Sequence, residues 1–390
     1  MVKRTFKWLL GILLGVIGML LLAAWLITLP AIQQWLVNQS ANYLSNKLQT
    51  KVQVARFELG FFNRLHIGGV YIEDQQHDTL AYVGRLSIRT NELLGLATNA
   101  SNKAIIHSLE LNDVWVYMKR GADSSRWNFD FIAEAFSSGS SSNKDTLTTK
   151  TPSKNSNAGP NIDLKQVDLA RIHFFMDDAW RGEDYHVELE ALQLKPKQFD
   201  LVHSHVAIAS LLLDHPNILY RNYEGGKPDD LTPDDTTEWG TPFNPDLFRF
   251  ELNELTLNGA SFQYENDTDK VRKGEFDEDH LRVKDINLVL KNTRLVADTV
   301  FSSIEHLSAH ERCGLYIEAM RAEVKLSQVQ AQLSNLYLKT KHSELRDYFE
   351  MRYKNFHAFN EFIDQVTLHA RLQHSKVSSL DVGYFAPILN

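Results

Sequence analysis

Between Ile162 and Met176 the sequence IDLKQVDLARIHFFM carries a broken two-residue period that few folds can accommodate. Its apolar residues are Ile162, Leu164, Val167, Leu169, Ile172, Phe174 and Met176, separated by steps of 2, 3, 2, 3, 2 and 2. A step of two keeps side chains on one face of a β-strand. A step of three reverses the face unless one residue is bulged out of the ladder, so the pattern predicts a strand bent at regular bulges or corners.

The same frame recurs. It returns 88 residues later as Phe250, Leu252, Leu255, Leu257, Ala260, Phe262 and Tyr264. It stands 58 residues earlier as Ala104, Ile106, Leu109, Leu111, Val114, Val116 and Met118, and a further 44 earlier as Leu65, Ile67, Val70 and Ile72. A partial copy is Leu281, Val283, Ile286, Leu288 and Leu290. The unequal intervals exclude a solenoid of fixed period. They predict one supersecondary unit used repeatedly, extending an apolar face along the chain.

The N-terminus predicts a membrane anchor. No charge occurs from Trp8 to Leu29, a run whose apolar spine includes Leu9, Leu13, Ile17 and Leu21, with Trp25 near its far end. At ~1.5 Å per residue this run matches the roughly 30 Å hydrocarbon core of a bilayer. Lys3, Arg4 and Lys7 precede it and the next charge is Lys47, which places the N-terminus in the cytoplasm and the bulk across the membrane. The competing reading, a cleaved signal peptide, fits less well, because the run exceeds an ordinary h-region and no A-x-A site follows. Gly11 and Gly15 form one GxxxG, which could pack a partner helix or be a small-residue pattern in a lone span.

We divide the chain into an anchor (1–30), an amphipathic helix (31–49), a first β segment (50–136), a disordered Ser/Thr/Asn-rich excursion (137–160) and further β repeats (161–390). The excursion holds too little apolar area to offset its ordering entropy. Gly68-Gly69 marks a kink or bulge, Glu92–Leu96 a turn of helix, and 128–136 a short helix. Glu344–Arg352 is read as helical and Val366–Leu372 as a last strand, with no capping element after it.

A net charge of −8 argues against a nucleic-acid partner. Cys313 is the single cysteine, which excludes an intrachain disulfide or a cysteine-based metal site. There is no GxSxG, Walker-type, GxGxxG or HExxH motif. His203 with His205, His306 with His310, and the acidic groups at 229–235 and 267–269 read as solvated surface. The expectation is a non-enzyme with no cofactor, no metal and no catalytic residue.

The apolar face remains. It suits either a sandwich with a dry interior or a curled sheet whose face stays open as a groove. Leaving a ~16-carbon acyl chain in water costs ~0.8 kcal/mol per CH₂, on the order of 12 kcal/mol, so carriage of a phospholipid demands a continuous apolar track.

At this point the chain resembles the AsmA-like superfamily, and within it the TamB-type proteins. The resemblance rests on the single N-terminal span, AIQQWLVNQSANYLSNKLQTKVQV, LHIGGVYIEDQQHDTLAYVGRLSIRTN, LELNDVWVYMKR, RWNFDFIAEAF and LYLKTKHSEL. It implies an elongated antiparallel β-groove, anchored in the inner membrane of a Gram-negative bacterium and extending into the periplasm. It implies movement of phospholipid towards the outer membrane or, alternatively, a scaffold for outer-membrane protein assembly acting with a TamA-like partner. TamB-type chains are far longer and end in a C-terminal domain missing here, so the chain is expected to be a fragment or a truncated relative. The expected groove residues are Leu65, Ile67, Val70, Ile72, Leu109, Leu111, Val114, Val116, Met118, Phe250, Leu252, Leu255, Leu257, Phe262 and Tyr264, with the Ile162–Met176 set.

Overall fold

The computed structural model describes residues 30–60, 63–91, 103–137, 161–200, 204–228, 244–245, 247–355, 358–359 and 362–385. Helix α1 (Pro30–Leu48) comes first, and β1 (Val52–Gly60), β2 (Arg64–Glu73), β3 (Thr79–Thr90) and β4 (Lys103–Arg120) follow as an antiparallel meander. After the short helix α2 (Asp130–Ser137), β5 (Asn161–Leu164) and β6 (Val167–Asp178) both pair with β4 in parallel. Strand β7 (Glu183–Asp200) is antiparallel to β6, and its far side is shared by β8 (His205–Asp214) and β9 (Asn217–Asn222). These two pair in parallel with β10 (Arg249–Asn266). A second antiparallel meander runs from β10 through β11 (Arg282–Val296), β12 (Thr299–Glu311), β13 (Tyr316–Leu326), β14 (Gln330–Thr340) and β15 (Glu344–Arg352) to β16 (Thr367–Arg371). Two single-turn helices, α3 (Phe362–Gln365) and α4 (Ser379–Val382), complete the described chain, and all sixteen strands belong to one curled sheet.

One step of three per strand has a common structural cause. The residue just before that apolar re-entry adopts a left-handed backbone: Gly69, Asp113, Arg171, Gly259, Asp285 and Asn335 all have φ between 52° and 62°, whereas Ser108, Gln166 and Glu254, before the other re-entries, do not. One such residue takes up the extra position and returns the next side chain to the original face. Gly69 is glycine for two reasons, since beyond its φ of 62° an added Cβ would lie 2.7 Å from the Ala55 Cβ. At Asp113 and Arg171 the non-glycine strain is accompanied by a two-pronged ion pair between the bulges, with Arg171 Nη2 donating to Asp113 Oδ2 at 2.9 Å. That hydrogen bond, above all, holds the Asp113 carboxyl below its ordinary range.

The expectation of an antiparallel sheet is corrected: the sheet is mixed. Full copies run in the same direction, so two of them can meet only as parallel neighbours or stand two strands apart in a meander, whereas the partial copy on β11 is antiparallel to its neighbour β10. Both solutions occur. The 58-residue offset is itself a pairing register, with Leu109 opposite Val167 and Met118 opposite Met176. The 44-residue offset places β2 and β4 on either side of β3. Parallel pairing needs long crossovers, which here are 121–160 and 223–248.

A second correction concerns Glu344–Arg352, which is strand β15 and not helix. Beyond β16 the described residues do include a capping turn. In α4 the Ser378 hydroxyl accepts from Leu380 N, and Thr340 Oγ1 donates to Asp381 at 2.5 Å, pinning the turn over the end of β14. The predicted span at 8–29, the turn at 92–96 and the acidic loop at 229–235 lie outside the described residues, as does 138–160 of the predicted excursion. Among the described residues no helix is long and apolar enough to cross a membrane.

Candidate functional site

Residues directly opposite on neighbouring strands project to the same face. Following the register across the sheet therefore shows what each face presents. One transverse row begins Phe57–Ile67–Leu86–Leu111–Leu169–Leu192 on β1 to β7. It continues Leu213–Leu257–Leu288–Leu307–Met320–Leu338–Leu345 through β8 and β10 to β15. A second runs Leu59–Leu65–Ile88–Leu109–Val167–Leu194–Leu211–Leu255–Leu290–Ile304. A third runs Val52–Ile72–Ala81–Val116–Phe174–Val187–Ile218–Phe262–Val283. No polar residue interrupts any of the three.

The remaining expected residues fall on the same face. Val70, Val114 and Ile172 belong to the row Val54–Val70–Val83–Val114–Ile172 between the first and third. Met118, Met176 and Tyr264 lie in one row with Tyr185 and Tyr220, whose rings stack at 4.6 Å between Tyr185 and Tyr220 and 5.3 Å between Tyr220 and Tyr264. Ile162 and Leu164 pair with Ala104 and Ile106. Leu252 stands between Ile208 and Thr293, and Phe250 between Val206 and Leu295. Thr293 and Ser302 are a polar intrusion, and their hydroxyls hydrogen-bond each other at 2.7 Å.

One full copy escaped the sequence reading. Val206, Ile208, Leu211, Leu213, Ile218 and Tyr220 stand 44 residues before Phe250, Leu252, Leu255, Leu257, Phe262 and Tyr264, and pair with them. Its signal was the same run of steps, hidden by Pro216 at the place of Ala260, just after the left-handed His215 at φ 47°, and by the division between β8 and β9.

Burial along this face is uneven. At the β1 end, Leu48, Val52, Leu80 and Phe131 are buried together, with Leu44, Ile72, Phe129, Ile132 and Ala135 packed around them. Helices α1 and α2 supply this cover. Helix α1 also lies along edge strand β1: Val52 N donates to Ser45 Oγ at 2.9 Å and Leu59 N to Gln33 Oε1 at 3.1 Å. A smaller buried group, Val206, Ile208 and Leu252, packs with Leu194, Leu211, Phe248 and Phe250. Elsewhere Leu111, Leu169, Leu257 and Phe262 are only half-buried. Substantial contacts between elements are those of sheet neighbours, with α1 on β1 and α2 besides. At the other edge all five residues of β16 are exposed.

The opposite face is polar with an aromatic ladder, in which Trp115 stacks on His173 at 3.7 Å and Tyr117 on Phe175 at 5.0 Å. At the strand ends, Arg120 Nε donates to Asp178 Oδ1 at 2.8 Å, tying β4 to β6. Burial pushes the Asp178 carboxyl up, but Arg120 and the Arg181 N–H offset it and leave the net shift downward.

The helical placement that would make His306 and His310 a metal pair does not occur. His306 and His310 lie on strand β12, and His310 instead stacks on Tyr316 at 3.9 Å and faces Asp285 at 3.3 Å. His203 lies outside the described residues. The structure does gather Glu190, Asp214 and His215, with His215 Nδ1 at 3.3 Å from both carboxylates. Glu190 and His215 are exposed there, and exposed acidic groups gather in this way without an ion. Compared with family models and with curated proteins, the sequence matches none.

Proposed function

We propose that the apolar face is an open track for lipid acyl chains, and that the protein is a non-enzymatic carrier of phospholipid held at a membrane by its N-terminal segment. The observation that carries this reading is the set of unbroken apolar rows, half-buried along much of their course. Side chains left half in water represent unused transfer free energy, about 25 cal/mol per Å², which a hydrocarbon tail would recover. The rows run across the strands, so a tail can slide along the sheet without crossing a polar barrier. The resemblance to AsmA-like, TamB-type chains supports the same reading and with it a setting at the inner membrane of a Gram-negative bacterium, facing the periplasm.

A second reading is an assembly scaffold that receives another polypeptide, such as an outer-membrane protein, by strand addition. The exposed edge at β16 favours it, where Leu368 is 51% exposed. The test is lipid mass spectrometry on the full chain purified in detergent, with photo-crosslinkers at Leu169, Leu257 and Phe262. Crosslinks to phospholipid support the track. Crosslinks to polypeptide from a further photo-crosslinker at Leu368 on β16, with no lipid at the three positions, support the scaffold.

A further inference from the structure

Gly68 has no role in the fold that requires glycine. Its neighbour Gly69 needs a left-handed backbone, and at Gly84 an added Cβ would stand 2.7 Å from the Asp113 Cβ. At Gly68, by contrast, no positive φ occurs, and an added Cβ would meet the Arg56 Cβ at 3.5 Å and the Gly84 carbonyl at 3.6 Å, both ordinary contacts. A β-branched residue would serve a strand interior better. The missing side chain instead leaves the floor of a depression of about 450 Å³ on the polar face, lined by Arg56, His66, Gly68, Gly84 and Arg85, with Glu58 the one acidic residue in its wall.

The register explains its shape. Arg56, Gly68 and Arg85 are direct partners across β1, β2 and β3. Two guanidinium-bearing residues thus flank a gap one strand wide, roughly 10 Å between their backbones at ~4.8 Å per strand. Arg85 is exposed and within 4 Å of no described carboxylate, though its charge reaches the Asp113 carboxyl beside Gly84, and Arg56 has only a loose partner, Glu58 at 3.6 Å, in an exposed pair. Beside the gap, His66 Nδ1 lies 2.9 Å from Ser87 Oγ. On the same face Arg64 and Arg89 stand directly opposite each other, a like-charge pairing that a sheet normally avoids. The chain as a whole carries −8, so this concentration of arginine is local.

We propose that the notch over Gly68 binds a phosphate group between Arg56 and Arg85. Arginine forks match phosphate oxygens in a way that single-point cations do not. The phosphate could belong to a free anion or to a lipid headgroup. The latter has a geometric attraction, because Gln33, near the start of α1, bonds Leu59 N beside this corner of the sheet. The site is separate from the apolar track, on the other face, and stands or falls independently of it.

The test titrates the full chain in neutral detergent with inorganic phosphate by calorimetry, and in parallel with phosphatidic acid doped into the same micelles. The variants are Gly68→Val, which fills the floor, Arg85→Gln, which removes an exposed cation at little risk to folding, and Arg249→Gln as a distant control. Saturable phosphate binding that falls about tenfold or more in Gly68→Val and Arg85→Gln but not in Arg249→Gln supports the site with a free anion. The same pattern with phosphatidic acid alone supports it with a headgroup. Absence of binding in both arms, equal loss in Arg249→Gln, or indifference to Gly68→Val in a variant of unchanged circular dichroism overturns it.

Discussion

The β1 end of the apolar face and its middle are built from the same residue types in the same transverse rows, yet they have different fates. At the β1 end, α1 and α2 lie over the sheet, and Val52, Leu80 and Phe131 become core. From β6 to β10, Phe174, Val187, Ile218 and Phe262 occupy the row that buried Val52 begins but stay half-buried. Strand period decides which face is apolar, whereas cover decides whether that face is core or surface. Substitutions in the two regions should therefore separate stability from ligand capacity.

The largest effect on stability is expected at the covered end, where Phe131→Ala should cost about 4 kcal/mol in chemical denaturation. Next comes the strand-end tie of the uncovered stretch. Asp178→Asn leaves the Arg120 guanidinium without its carboxylate partner and should cost about 3 kcal/mol at neutral pH. The folded Asp178 carboxyl is depressed, so its contribution is complete above the unfolded carboxylate range near ~4 and is lost as pH falls through the lower folded value. The variant's acid-denaturation curve should accordingly be flatter below about pH 4 than the parent's. Leu257→Asp, on the bare stretch, should cost only about 1 kcal/mol, because a half-buried Leu contributes a fraction of its full transfer free energy. A cost there as large as at Phe131 would erase the contrast between the two regions. Smallest is Asp113→Ala, which breaks an exposed ion pair and should change stability by a few tenths of a kcal/mol.

Much of the fold was legible in the order of apolar residues, because a left-handed residue inside a strand prints a step of three into an otherwise even spacing. The bulges at Asp113, Arg171 and Gly259 were readable in this way. Pairing direction was less so. The 58-residue offset held the β4–β6 register, but a repeat offset alone does not say whether copies are neighbours or stand two strands apart. Glu344–Arg352 misled for a related reason. Leu345, Tyr348 and Phe349 have helix-like spacing, but in β15 Tyr348 pairs with Arg371 and Phe349 with Ala370, on alternate faces. The β8–β9 copy was masked by Pro216, and the cover by α1 and α2 had no local signature because it is a tertiary event. The notch over Gly68 left only the doubled glycine, which the bulge at Gly69 explains by half.

The most direct test is the phospholipid content of the full chain against that of the triple variant Leu169→Asp, Leu257→Asp, Phe262→Asp, both purified identically and checked for equal circular dichroism. An open track predicts co-purifying phospholipid in the parent and its loss in the folded triple variant. Equal lipid content in the two, or none in either, would contradict it.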